Sequence, residues 1–187
     1  MTHLPDVITL GPEDEANRLW EGAVQAKEKA ASDLVALCES IELGLHAAEI
    51  LIIQRLLPVK DQFPATIGVQ LQVPVAEVDA YRDAVNVPNS LDFTEILDLL
   101  SEEELECVGP RLHRGWEDRR FSCKRARATA REAVGVTLTS EERDQLLLLA
   151  AYRNRIFRYP PPLQLVPGDI LAAFDALTRL TERLLGE

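Results

Sequence analysis

Residues 139–162, TSEERDQLLLLAAYRNRIFRYPPP, decide how the rest of the chain is read. Thr139-Ser140-Glu141-Glu142 has the spacing of a capping box, in which a hydroxyl and a Glu three residues on satisfy open backbone donors at a helix start. Leu146 to Ala151 is apolar on nearly every side, which predicts a helix central to its domain. Arg153-Asn154-Arg155-Ile156-Phe157-Arg158-Tyr159 then runs into Pro160-Pro161-Pro162. Proline lacks an amide donor and pushes its predecessor out of α space, so the helix must stop there. Three guanidinium groups are thus expected at a helix C-terminus, where the dipole favours cations.

Working outward, the same signals recur. After Pro167-Gly168-Asp169, a last amphipathic helix places Ile170, Phe174, Leu177, Leu180 and Leu184 on one face. Upstream, Gly109-Pro110 opens a basic helix over residues 111–133, and Ser101-Glu102-Glu103-Glu104 reads as another capping box. Phe93, Ile96, Leu97 and Leu100 form the buried side of a short helix, and Pro74 opens one over about residues 75–85. Residues 58–73 are less readily placed; within them Thr66 to Val73 alternates weakly, as a short extended piece would, which does not justify a sheet. Pro12 with Glu13, Asp14 and Glu15 suits a first helical turn. The pattern from there to Leu57 is too long for one globular helix, and Ser32-Asp33 or Gly44 marks the expected break. Its second half carries a stripe of Leu34, Leu37, Ile41, Leu45, Ala48 and Ile52. The expectation is an N-terminal tail over residues 1–11 and a single all-α domain over 12–187, an up-and-down helical bundle of about six or seven helices.

Composition agrees. The chain has 187 residues, 47% apolar and 27% charged, with five Phe, three Tyr and two Trp. That is enough chain for a core without staples, and the leucine and alanine bias favours helices over strands. Cys38, Cys107 and Cys123 are odd in number and form no CxxC pair, as expected of reduced thiols. The start Met-Thr-His-Leu-Pro-Asp-Val lacks the basic and apolar regions of a signal peptide. Glu49, Gln54 and Arg55 interrupt the most apolar window, Ala47 to Leu57, so no membrane span is expected. The expected location is the cytoplasm.

The net charge of −11 conceals an asymmetry. Residues 1–106 hold 6 Lys/Arg against 21 Asp/Glu, whereas residues 107–158 hold 12 against 6. The whole chain should repel nucleic acid at long range while one segment attracts it locally. The same asymmetry is also explained if the basic segment packs on acidic residues of the chain itself or of a partner. Trp116 and Phe121 interleave with arginines in the basic helix, a pattern suited to stacking on single-stranded RNA with phosphate contact. Arg120, Lys124 and Arg127 are its candidate phosphate ligands.

Other chemistry has less support. No Walker loop, GxGxxG, HExxH or GxSxG is present, so neither a cofactor nor a metal is expected. Glu102, Glu103, Glu104 and Glu106 lack a His at ligand spacing and read as a solvated helix start. His46 lies one helical turn from both Glu42 and Glu49. It could serve as a carboxylate-oriented base, but a packed or hydrogen-bonded histidine is the plainer reading. His113, beside Trp116, reads as a surface residue.

The order of the last 50 or so residues, a capped leucine-rich helix ending in Arg-Asn-x-Ile, a short loop and a closing amphipathic helix, resembles the HEPN superfamily. These are small helical-bundle proteins of toxin–antitoxin, abortive-infection (phage defence) and RNA-processing systems. The resemblance implies an Arg, followed by a polar residue, four to six positions before a His, with these residues of two protomers meeting at a dimer interface. It implies metal-independent RNA cleavage through attack by the ribose 2′-hydroxyl. Arg153 and Asn154 match the first half of the pattern, and Arg158 stands where the His belongs. Guanidinium cannot accept a proton, although it can hold a phosphate bidentately.

Two functions remain open from the sequence. In the first, the chain is a HEPN-like, catalytically degenerate homodimer that binds RNA or a nucleotide phosphate. Arg153, Asn154 and Arg158 are then its candidate catalytic positions, and Arg153, Arg155 and Arg158, with Arg120, Lys124 and Arg127, its phosphate ligands. In the second, it is a non-catalytic helical adaptor or immunity-type protein with a protein partner, and the arginines at 153–158 form an internal ion-pair lock. The first needs those guanidinium groups turned to solvent; the second needs them held by carboxylates.

Overall fold

The computed structural model describes residues 11–30, 32–62, 93–102, 123–158 and 166–186. Within these, the side chains of residues 60–62, 94, 95, 123–125 and 154–158 lie outside the description. The described residues form an all-α helical bundle of six helices: α1 (Pro12–Lys29), α2 (Leu34–Leu56), α3 (Phe93–Leu100), α4 (Cys123–Val134), α5 (Ser140–Arg158) and α6 (Pro167–Leu185). A 3-10 turn, Leu57–Gln62, follows α2 directly across Pro58. The expected helix over 75–85, the first half of the basic helix and the weakly alternating stretch after residue 62 lie outside the described residues.

The break between the first two helices falls at Asp33, not at Gly44. Asp33 is extended, and its carboxylate accepts from the Val35 and Ala36 amides at 2.8 and 3.3 Å. That satisfies two of the four donors a helix start leaves open. Gly44 instead lies inside α2 where α6 approaches. A Cβ there would sit 2.8 Å from the Leu177 side chain, which is fully buried. The second capping box is realised in full: Glu142 N donates to Thr139 Oγ1 at 3.2 Å, and Thr139 N to Glu142 Oε2 at 3.1 Å. The first lies partly outside the described residues. Its Ser101 is buried and forms an isolated parallel bridge to Leu138.

The centre of the bundle is α2, where the sequence pointed to α5. Ala36, Leu37, Ile41, Leu45, Ala47, Ala48, Leu51, Ile52 and Leu56 are all buried on α2, which packs against α1, α4, α5 and α6. On α5, Leu146, Leu149 and Ala150 are buried, but Leu148 is 36% exposed and Ala151 is exposed. Four consecutive leucines at 100° per residue span most of a helix surface, so a helix packed on part of its circumference leaves one of them, Leu148, outward. The stripes of α3 and α6 are as read: Phe93, Ile96, Leu97 and Leu100, and Ile170, Phe174, Leu177, Leu180 and Leu184, are buried. Trp20 of α1 stacks on Phe174 of α6 at 5.9 Å between centroids. Lys27 caps the other end of that contact, 4.7 Å from the Phe174 ring centre and 2.8 Å from Asp175.

Arg55, at the end of α2, ties two further helix ends together. Its guanidinium donates to the Val134 carbonyl at the end of α4 and to the Leu184 carbonyl at the end of α6. Terminal carbonyls lack intrahelical partners and carry the negative end of the dipole, so one cation stabilises both. Gly135, at φ 73°, ends α4 beside it. The variant Arg55→Met keeps the aliphatic stem and removes both bonds. We expect it to lower unfolding free energy by about 2–4 kcal/mol, read as a fall in urea midpoint at unchanged m; an unchanged midpoint would show the clamp to be idle.

Candidate functional site

Glu49 occupies the C-terminal half of α2, and Arg153 the C-terminal half of α5. The packing of α2 on α5 brings the two together from 104 positions apart: Arg153 Nη2 donates to Glu49 Oε1 at 2.9 Å. Their side chains are 19% and 20% exposed, so the pair sits at the edge of the core. The face of the Phe93 ring, from α3, lies 5.8 Å from the Arg153 guanidinium carbon, within cation–π range. His46 is one turn before Glu49 on α2, and its Nδ1 lies 3.8 Å from Glu49 Oε2. That is an ion-pair distance, longer than a good hydrogen bond. One carboxylate therefore has the guanidinium on one oxygen and the imidazole on the other, and the imidazole side chain is 51% exposed.

The charges follow from this arrangement. The attraction of Glu49 raises the proton affinity of His46 above the ordinary imidazole value. Partial burial opposes that rise, the charges of Glu49 and of Glu15 on α1 add to it, and Arg153 opposes it. For Glu49, burial pushes the carboxyl up. The bonds and charges of His46 and Arg153 outweigh burial and hold it below its usual value.

The predicted site residues divide as follows. Arg153 is held by a carboxylate, as the ion-pair lock requires. Arg127 is 4% exposed in the interior of α4, where a guanidinium serves the fold and is out of reach of a polyanion. Asn154, Arg155 and Arg158 lie on the last turns of α5, and Lys124 on the first turn of α4, with side chains outside the described set. Arg120 lies outside the described residues. His46 was read as a packed or hydrogen-bonded histidine. It is half exposed and faces Glu49 rather than Glu42, and the i,i+3 spacing of His46 and Glu49 was the signal for that pairing.

Other cations, one of the basic segment and one of α6, are also paired internally. Arg143 Nε donates to Asp98 of α3 at 2.7 Å. Glu142 takes Arg183 of α6 at 2.8 Å. Cys38 is a half-buried free thiol, less acidic than usual because burial disfavours the thiolate. Among the described residues no group of three or more His, Cys, Asp or Glu could hold a metal ion, and no helix is long and apolar enough to cross a membrane. No family model, curated protein or solved structure matches the chain.

Linkage gives this cluster a pH signature. The lowered Glu49 carboxyl contributes stability that is present above the unfolded carboxyl value and is lost as pH falls through the folded one. The raised His46 contributes stability that is present below about 6.5, the unfolded imidazole value, and is lost as pH rises through its higher folded value. The pair therefore favours mildly acid conditions, with Glu49 ionised and His46 charged. We expect His46→Gln to abolish the decline in urea midpoint that begins as pH rises past the unfolded imidazole value of about 6.5. An identical decline in wild type and variant would place the titrating group elsewhere.

Proposed function

We propose that the chain is a HEPN-like helical-bundle protein of a bacterial defence or toxin–antitoxin type system, acting in the cytoplasm, that binds RNA or a nucleotide phosphate beside the C-terminal turns of α5. What supports this reading is the run of Arg153, Arg155 and Arg158 along the last turns of α5, with the half-exposed His46 beside it, while the Arg153–Glu49 pair by itself suits the adaptor. A carboxylate that fixes one guanidinium also orients it, and a guanidinium has five donors, of which the bond to Glu49 uses Nη2. Arg155 and Arg158 follow on the same helix, one on each side of Phe157. Arg158 cannot accept a proton, so no proton transfer is assigned to it.

A second reading is favoured by specific observations. Arg153 is committed to Glu49 and Arg127 is buried, which suits an adaptor whose arginines lock its own helices. The partner would then meet the acidic N-terminal half, where Leu34 and Val35 are 59% and 74% exposed.

RNA binding separates the two. Labelled oligouridylate titrated with the protein should bind at low salt. The affinity should fall as salt rises, by a factor set by the number of phosphates contacted. Arg158→Ala should weaken binding and reduce the logarithmic salt slope by about 0.7, the loss of one contact on a single strand. A folded protein with no affinity at low salt supports the adaptor. Binding unchanged in Arg158→Ala moves the contact off the end of α5.

A further inference from the structure

The sequence placed every expected phosphate ligand on α4, α5 and the segment leading into α4. The structure adds a group from another helix. His46 of α2 shares the Glu49 carboxylate with Arg153 of α5, and half of its side chain faces solvent. With a neutral imidazole, Glu49 and Arg153 cancel and the cluster attracts no anion. With a protonated imidazole, the three side chains carry a net positive charge.

We propose that His46 is the second cationic arm of a phosphate site, which takes a phosphate group of single-stranded RNA at the α2–α5 edge when the imidazole is protonated. This rests on the RNA-binding reading above and adds its regulation: phosphate and proton bind together. The groups that face the imidazole make the coupling workable. Glu49, on its own helix, favours the proton. Glu15, on α1, also favours the proton but opposes an anion. Arg153, on α5, opposes the proton and favours the anion. Glu42, one turn back on α2, is exposed and lies where solvent screens it. The groups that favour the proton outweigh burial and Arg153, so the imidazole holds its proton more tightly than a free one. Linkage requires reciprocity: if protonation tightens RNA binding, RNA raises the proton affinity of His46 by the same factor.

The test is fluorescence anisotropy of labelled oligouridylate against the full chain from pH 5.5 to 8.5 at fixed low salt. Three proteins are compared: wild type, His46→Gln and His46→Lys, with circular dichroism confirming that each is folded. Wild-type affinity should fall by up to about tenfold per pH unit above the imidazole titration. His46→Gln should bind weakly and with little dependence on pH, whereas His46→Lys should bind at near the acid wild-type affinity throughout. A proton NMR titration adds a structural readout: the His46 ring signal, identified by its loss in His46→Gln, should titrate at higher pH when oligouridylate is present. If wild type binds RNA and His46→Gln follows the same pH curve, the His46 arm is overturned while the RNA reading survives. If wild type binds no RNA at any pH, the reading and the arm fall together.

Discussion

A helix packed against four others keeps one strip of its surface for polar groups, and α2 is that helix here. At 100° per residue its buried positions cover roughly 200° of its circumference. His46 and Glu49 lie on the strip that remains, and α5 packs along the border of that strip. Glu49 is there mostly withdrawn from water, and a withdrawn carboxylate must be paired. Arg153 supplies the pair from α5 and His46 supplies a second, variable charge from α2 itself. The depth of α2 in the bundle thus determines which polar groups meet and how they titrate.

Interior demands of this kind account for three of the twelve cations of the basic segment. Arg143 answers Asp98 of α3, Arg153 answers Glu49 of α2, and Arg127 is enclosed within the bundle. Arg55, from the acidic half, closes the ends of α4 and α6. The excess of cations over residues 107–158 is therefore not all available to a polyanion. Among the described side chains, the α2–α5 edge turns one half-exposed imidazole outward, beside a guanidinium that is already paired. Such a site would recognise a phosphate by contact and would depend on local geometry, because the chain as a whole, at −11, repels nucleic acid at distance.

Local signals in the sequence were legible where the structure they specify is local. The Thr139–Glu142 box, the proline start of α1 and the stripes of α3 and α6 each depend on residues a few positions apart, and each forms as read, whereas α6 begins at Pro167 itself rather than after Asp169. Asp33 and Gly44 were equal candidates for a break because both residue types interrupt helices. Only the packing of α6 shows that Gly44 is there for close approach. The leucine run of α5 was read as central because a helix apolar all round has no preferred side. Its neighbours supply the side, leaving Leu148 outward. The His46–Glu49 spacing was visible, whereas its completion by Arg153 was not. That contact depends on the register between α2 and α5, which no local pattern encodes.

The central claim, that one carboxylate of α2 fixes the arginine of α5, is tested most directly by a double-mutant cycle on folding stability. Glu49→Gln, Arg153→Met and the double variant would each be unfolded in urea at pH 7. For a partly buried pair in hydrogen-bond contact, the account predicts a coupling energy of about 1–3 kcal/mol, with the double variant losing clearly less than the two single losses together. Losses that add to within about 0.5 kcal/mol would mean that Glu49 and Arg153 act independently and that the contact between them does not hold the site.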